Sequence, residues 1–155
     1  MRTKFLFLLL TLLLVGCEKA HEDTPIEEEI IALDYSDFVN LHLEWKNLFS
    51  PAKSLYFVYI YSISCGHCKA IKDDVLSFIN TDKESFFLME YSKEIPTSNN
   101  VADTIGKEKV EEIAILGTPT LLCVSNATLV LNIAGEKEII DYLKALPHTD
   151  TCYFL

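Results

Sequence analysis

The four residues Cys65-Gly66-His67-Cys68 have the types and spacing most able to do chemistry. Two cysteines separated by two residues fall on one turn of a helix, so their sulfurs can approach closely enough to bridge. The tetrapeptide follows Leu55-Tyr56-Phe57-Val58-Tyr59-Ile60-Tyr61, a continuous apolar, β-branched and aromatic run that reads as a strand buried on both faces. After it, Cys68, Ile71, Val75 and Ile79 recur at helical spacing and predict a helix over about 66–80. The pair therefore sits where a strand ends and a helix begins. The unpaired N–H groups and roughly half a positive charge at a helix N-terminus stabilise a thiolate, lower its pKa and raise its reactivity at neutral pH. Cys65, at the helix start, is expected to be the exposed attacking thiol. Cys68, one turn in and on the apolar face, is expected to be the buried resolving thiol. His67 places an imidazole beside them; when protonated it favours the thiolate and makes the disulfide more oxidising.

Gly117-Thr118-Pro119-Thr120 opens a later apolar run. Proline is tolerated at the first position of a strand because no ladder N–H is needed there. A cis bond before Pro119 would leave the Thr118 backbone free to pair with an extended substrate. Two other readings use the same cysteines. In one, Cys65, His67 and Cys68 supply thiolate and imidazole ligands to copper or zinc, although no second CxxC or histidine cluster completes a set of four. In the other, the fold is a binding scaffold without redox turnover. Cys123, inside an apolar run, reads either as a buried thiol or as paired with Cys152 in the C-terminal tail.

The elements that must hold these residues alternate. Ser36 can cap a helix carrying Phe38, Leu41, Trp45 and Leu48 at steps of three and four, with Trp45 in the core and Pro51 as the stop. Residues 86–91 read as a strand and 92–100 as a polar loop. A weaker helical pattern covers 101–113, with Gly106 against it. Residues 120–124 and 128–133 are strands joined by a short turn, hence an antiparallel hairpin. Gly135 precedes a last helix bearing Ile139, Ile140, Leu143 and Leu146 on one face. Such alternation predicts an α/β fold, a central sheet with helices on its faces.

From about Asp34 to Leu146 this order resembles the thioredoxin fold: a helix, then strand–CxxC–helix, a further strand and helix, then a proline-led hairpin and a closing helix. The sequence CGHC is similar to the active-site tetrapeptide of protein disulfide isomerase domains, and Thr118-Pro119 to the cis-proline loop of the family. The resemblance implies a central mixed sheet with helices on both faces. It implies Cys65 as nucleophile, Cys68 as resolving thiol, Pro119 as the cis-proline facing them, and Thr118 and Gly66 as substrate-contacting backbone. It implies no cofactor, the cysteines themselves carrying the electrons. Three positions depart from the family. Tyr59 stands where a buried acid often relays a proton to the resolving cysteine. Ser64 stands where tryptophan often precedes the first cysteine. The interval between the CxxC and the proline is longer than in small thioredoxins, the excess falling in 92–104 as a surface loop that could shape partner choice.

The N-terminus reads as an address. Arg2 and Lys4 precede an apolar stretch from Phe5 to Val15, broken by Thr11 alone, and the stretch ends in Leu14-Val15-Gly16-Cys17. This resembles a bacterial lipoprotein signal with its lipobox, which implies cleavage before Cys17, lipidation of Cys17 and a place outside the cytoplasm at a membrane surface. That compartment permits disulfides. Residues 18–29 hold six acids and no apolar periodicity. They read as a solvated tether, with His21 a solvated side chain. The expected organisation is a signal over 1–16, lipidated Cys17 and tether over 17–33, and a thioredoxin-like domain over 34–155. With 13 Lys+Arg against 23 Asp+Glu, a net charge of −10, the chain lacks the basic surface that nucleic acid requires. The expected partners are cysteine-containing protein substrates, a membrane redox partner, and the membrane itself through the lipid anchor.

Overall fold

The computed structural model describes residues 32–81 and 85–146. Strand β1 is Leu55–Tyr61, helix α1 Gly66–Thr81, strand β2 Phe86–Glu90, strands β3 and β4 Thr120–Ser125 and Thr128–Ala134, and helix α2 Glu136–Ala145. The sheet order is β2-β1-β3-β4. β1 runs parallel to β2 and antiparallel to β3, and β3 runs antiparallel to β4. Parallel neighbours need a crossover, which α1 supplies. Asn126 and Ala127, with φ of 48° and 60°, turn the β3–β4 hairpin in the left-handed region that two-residue hairpins favour. This is the mixed sheet of a thioredoxin-like α/β fold, as the element order implied.

β1 is apolar throughout because both its faces are covered. Phe57, Tyr59 and Tyr61 face one core, with Ile71, Val75, Leu76 and Ile79 of α1 and Ile139 and Leu143 of α2. Tyr56, Val58 and Ile60 face the other, with Trp45, Leu48, Ile95, Ile113 and Ile115. Trp45 is in the core as expected. α-Helices cover the first face, while short 3-10 turns and extended chain cover the second.

Two helices expected from periodicity take other forms. The segment after Asp34 is a 3-10 helix over Tyr35–Leu41, a break, and a second 3-10 turn over Trp45–Asn47. Asp34, rather than Ser36, is the cap, in a reciprocal capping box with Asp37. The break arises from tertiary pairing. His42 bridges Leu88, and Leu43 N–H donates to the Leu88 carbonyl at 2.8 Å. The chain thus leaves the helix to cover the exposed edge of β2. Between 101 and 113 the chain forms 3-10 turns at Ala102–Thr104 and Val110–Glu112. Gly106 between them has φ +84°. Gly106 N–H donates to Leu129 O, and Leu129 N–H to Lys107 O, both at 2.8 Å, which covers the edge of β4.

The stretch expected as a surface loop is docked as well as exposed. Ile95 and Thr104 are buried, and Ile115 bridges Thr97, its carbonyl accepting the Ser98 N–H and its N–H donating to the Pro96 carbonyl, both at 2.9 Å. The signal, the acidic tether with His21, Cys17 and Cys152 lie outside the described residues. No helix among the described residues is long and apolar enough to cross a membrane.

Candidate active site at the Cys65–Cys68 pair

α1 begins one residue after Cys65, so Cys65 occupies its N-cap position. Its sulfur accepts the backbone N–H of Cys68 at 3.2 Å, one of the donors a helix N-terminus leaves unpaired. The Cys65 thiol also donates to the Thr118 carbonyl at 3.3 Å. Burial works against the Cys65 thiolate. Hydrogen bonds from the Cys68 thiol and backbone N–H, from the Thr118 side chain and from the His67 backbone outweigh it and hold this thiol below its ordinary value. Cys68 is 1% exposed. Burial, reinforced by its hydrogen bond with Cys65, pushes its thiol up to about 11. Both cysteines are free thiols. One is therefore primed to ionise and half-exposed, the other neutral and enclosed.

The Thr118–Pro119 peptide is cis. Pro119 is buried at the start of β3 while Thr118 stays half-exposed. The loop thus presents its backbone to Cys65 across 53 residues of sequence. A cleft of about 450 Å³ opens beside it, lined by Leu116, Thr118, Pro119, His67 and Glu136 among others. Leu116 and Ile63 are exposed apolar side chains, at 52% and 65%. They lie two residues before Thr118 and two before Cys65 in sequence.

His67 Nδ1 lies 2.6 Å from Glu136 Oε1, at the first residue of α2. This hydrogen bond, with the carboxylate's charge behind it, raises the His67 imidazole above its ordinary value, and the nearby Cys65 adds to the effect. The contact thus favours the protonated imidazole at the rim of the cleft.

Compared with known proteins, the chain matches no family model and no curated protein. Among solved structures it is similar to thioredoxin f2 of Chlamydomonas reinhardtii, at 17% identity over 67% of this chain and 93% of that one, with a TM-score of 0.44. It is also similar to mitochondrial thioredoxin 3 of Saccharomyces cerevisiae in its oxidised form, at 16% identity over 70% and 98%, with a TM-score of 0.44. A Plasmodium falciparum thioredoxin follows at 16% identity over 67% and 93%, with a TM-score of 0.42.

Of the residues singled out in the sequence, Cys65, Gly66, His67, Cys68, Thr118 and Pro119 come together. Gly66 is exposed, with open space where a side chain would sit, so packing does not demand glycine there. Among the described residues no group of three His, Cys, Asp or Glu side chains converges as metal ligands would, and His67 turns to Glu136 instead. Cys123 is fully buried and disulfide-bonded; the pairing considered for it, Cys152, lies outside the described residues. Glu136 was not legible in the sequence. It is 69 residues from His67, and an acid in the first turn of a helix has an ordinary explanation in the helix dipole.

Proposed function

We propose that this protein is a thiol–disulfide oxidoreductase that exchanges disulfides with cysteine-containing proteins through Cys65 and Cys68. The observation that carries this reading is the unequal pair itself. A half-exposed thiol held below its ordinary value faces a cis-proline loop, with a buried thiol raised to about 11 one helical turn away. The Cys65 thiolate attacks a substrate disulfide, forms a mixed disulfide and releases one substrate thiol. Cys68 then attacks Cys65 Sγ, the pair becomes oxidised, and the second substrate sulfur leaves. In reverse, the oxidised pair delivers a disulfide to a dithiol substrate. The Thr118 backbone and the apolar rim at Ile63 and Leu116 hold an extended segment of substrate beside Cys65. Stabilising the Cys65 thiolate favours the reduced pair, which biases exchange toward disulfide donation and isomerisation.

We further propose that the protein works outside the cytoplasm, held to a membrane by a lipid on Cys17. The order of charged head, apolar stretch and Leu-Val-Gly-Cys at residues 14–17 supports this. Among the described residues no cluster of His, Cys, Asp or Glu side chains supports a metal-handling role.

The test is refolding of a reduced, unfolded disulfide protein by the oxidised full-length chain. Oxidation should be fast with the natural sequence and reduced to the uncatalysed rate in Cys65→Ser. Cys68→Ser should accumulate substrate covalently on Cys65. Equal rates with and without Cys65 would dismiss the proposal. Detergent partitioning of the natural chain, lost in Cys17→Ser, tests the anchor separately.

A further inference from the structure

The chain has five cysteines. Cys65 and Cys68 are free thiols, while Cys123 is disulfide-bonded. The partner of Cys123 is therefore Cys17 or Cys152. Exchange at Cys65 makes no use of this bond. Cys123 is also 0% exposed, so its partner has to be carried into the interior by its own chain.

The fold says where that chain must enter. β3 and α2 both start at the candidate active site, β3 at Thr120 behind Pro119 and α2 at Glu136 beside His67, and both run away from it. From Thr120 to Cys123 the strand advances about 10 Å. From Glu136 to Tyr142 the helix advances about 9 Å. Cys123 thus lies about level with Tyr142 and Leu143, and all three belong to one core. α2 ends at Ala145, about one turn further on. Leu146 leaves it with extended backbone, φ −61° and ψ 114°, as a residue before proline does, and still packs against that core. Cys152 follows Leu146 by six residues, a reach of up to about 20 Å. A disulfide needs its Cα atoms within about 7 Å. One helical turn back and one side-chain layer down fall inside that reach.

Cys17 fits less well. The described chain enters at the opposite end, where Tyr35 stacks on Tyr61, the last residue of β1. A loop closed from 123 to 152 spans 29 residues, against 106 from 17 to 123, and chain statistics favour the shorter about sevenfold. A lipid on the Cys17 sulfur, as proposed above, also removes that sulfur from disulfide chemistry; the inference rests on the anchor reading at this point alone.

We propose that Cys123 and Cys152 form a disulfide that fastens the C-terminal segment to β3 beneath the end of α2. As the bond forms, the two thiols lose two protons and two electrons. A disulfide donor such as oxidised glutathione takes them and becomes two thiols. The protein then holds two cysteine pairs with separate work. Cys65–Cys68 opens and closes beside the cleft. Cys123–Cys152 stays shut, because the enclosed Cys123 sulfur is out of reach of attacking thiolates. It stabilises the fold by restricting the unfolded chain, and it suits the oxidising compartment that the N-terminus implies.

The test unfolds the full-length chain, purified without reductant, in a thiol-alkylating agent and digests it with trypsin. Cleavage after lysine releases residues 110–137, with Cys123, and 145–155, with Cys152, as two peptides. They should appear as one species that reductant splits. Cys123 alkylated before reduction, or joined to the peptide carrying Cys17, would overturn the proposal. Cys17→Ser should keep the link, and its detergent partitioning reports on the lipid separately. In graded glutathione buffers the native chain should open Cys65–Cys68 while the 123–152 link persists; opening of both at one ratio would overturn the division of work. Cys152→Ser should melt lower by about 5 °C or more while keeping the refolding activity of Cys65. An unchanged melting temperature would overturn the fastening role.

Discussion

The two cysteines differ because their surroundings do, and their chemistry follows from that difference. Burial and Cys65 push the Cys68 thiol from an ordinary 9.0 to about 11. The folded, reduced protein therefore keeps a proton that the unfolded chain gives up as pH rises from about 9 to about 11. Ionisation then favours the unfolded state. Reduced protein should lose stability across this window relative to Cys68→Ala, as urea titrations at pH 8 and pH 10.5 would show. Cys65 is shifted the opposite way, so its thiolate absorbance at 240 nm should develop below the ordinary thiol range. Glu136 acts on His67 through an exposed contact. In Glu136→Gln the His67 imidazole should titrate lower by NMR. Alkylation of Cys65 at neutral pH should slow by only about two- to fivefold, since exposed ion pairs are weak.

At the scale of elements, spacing revealed what is local and missed what is paired at a distance. β1, α1, β2, the hairpin and α2 follow from apolar runs and helical periodicity, and each lies within a residue or so of its expected bounds. The helix expected after Ser36 fails at His42–Glu44 because an open β2 edge takes the backbone of His42 and Leu43. No periodicity in 36–48 carries that information. The 101–113 segment likewise trades a helix for contacts with β4. Asn132 Nδ2 pins it by donating to Thr104 Oγ1 at 3.0 Å and to the Ala114 carbonyl at 2.9 Å. Asn132→Ala removes both bonds and should cost about 1–3 kcal/mol. The loss should speed amide exchange at Gly106 and Ile115 while leaving α1 unchanged.

For the molecule as a whole, the placement of the pair at a strand–helix junction, and the proline loop opposite, were readable because both are short-range patterns. The partners of those residues were not. Glu136 at His67 comes from an element far away in the chain, and only the sheet order brings it in. The same sheet buries several phenols. Tyr56 and Tyr61 are pushed by burial from 10.0 to about 12, and stability should fall as pH rises through that interval. Tyr56→Phe should lessen the fall, at a neutral-pH cost of about 1 kcal/mol for the bond that Tyr56 donates to the Leu48 carbonyl.

The central claim is that Cys65 and Cys68 form one reversible redox couple. Its most direct test is the reduction potential of the pair in the full-length chain. Protein equilibrated in graded glutathione buffers would be trapped with a thiol-specific mass tag and mapped to the peptide carrying both residues. The account predicts a single two-electron transition in the oxidising range, roughly −200 to −120 mV. A pair that stays tagged at every glutathione ratio, or that never accepts the tag, would contradict it.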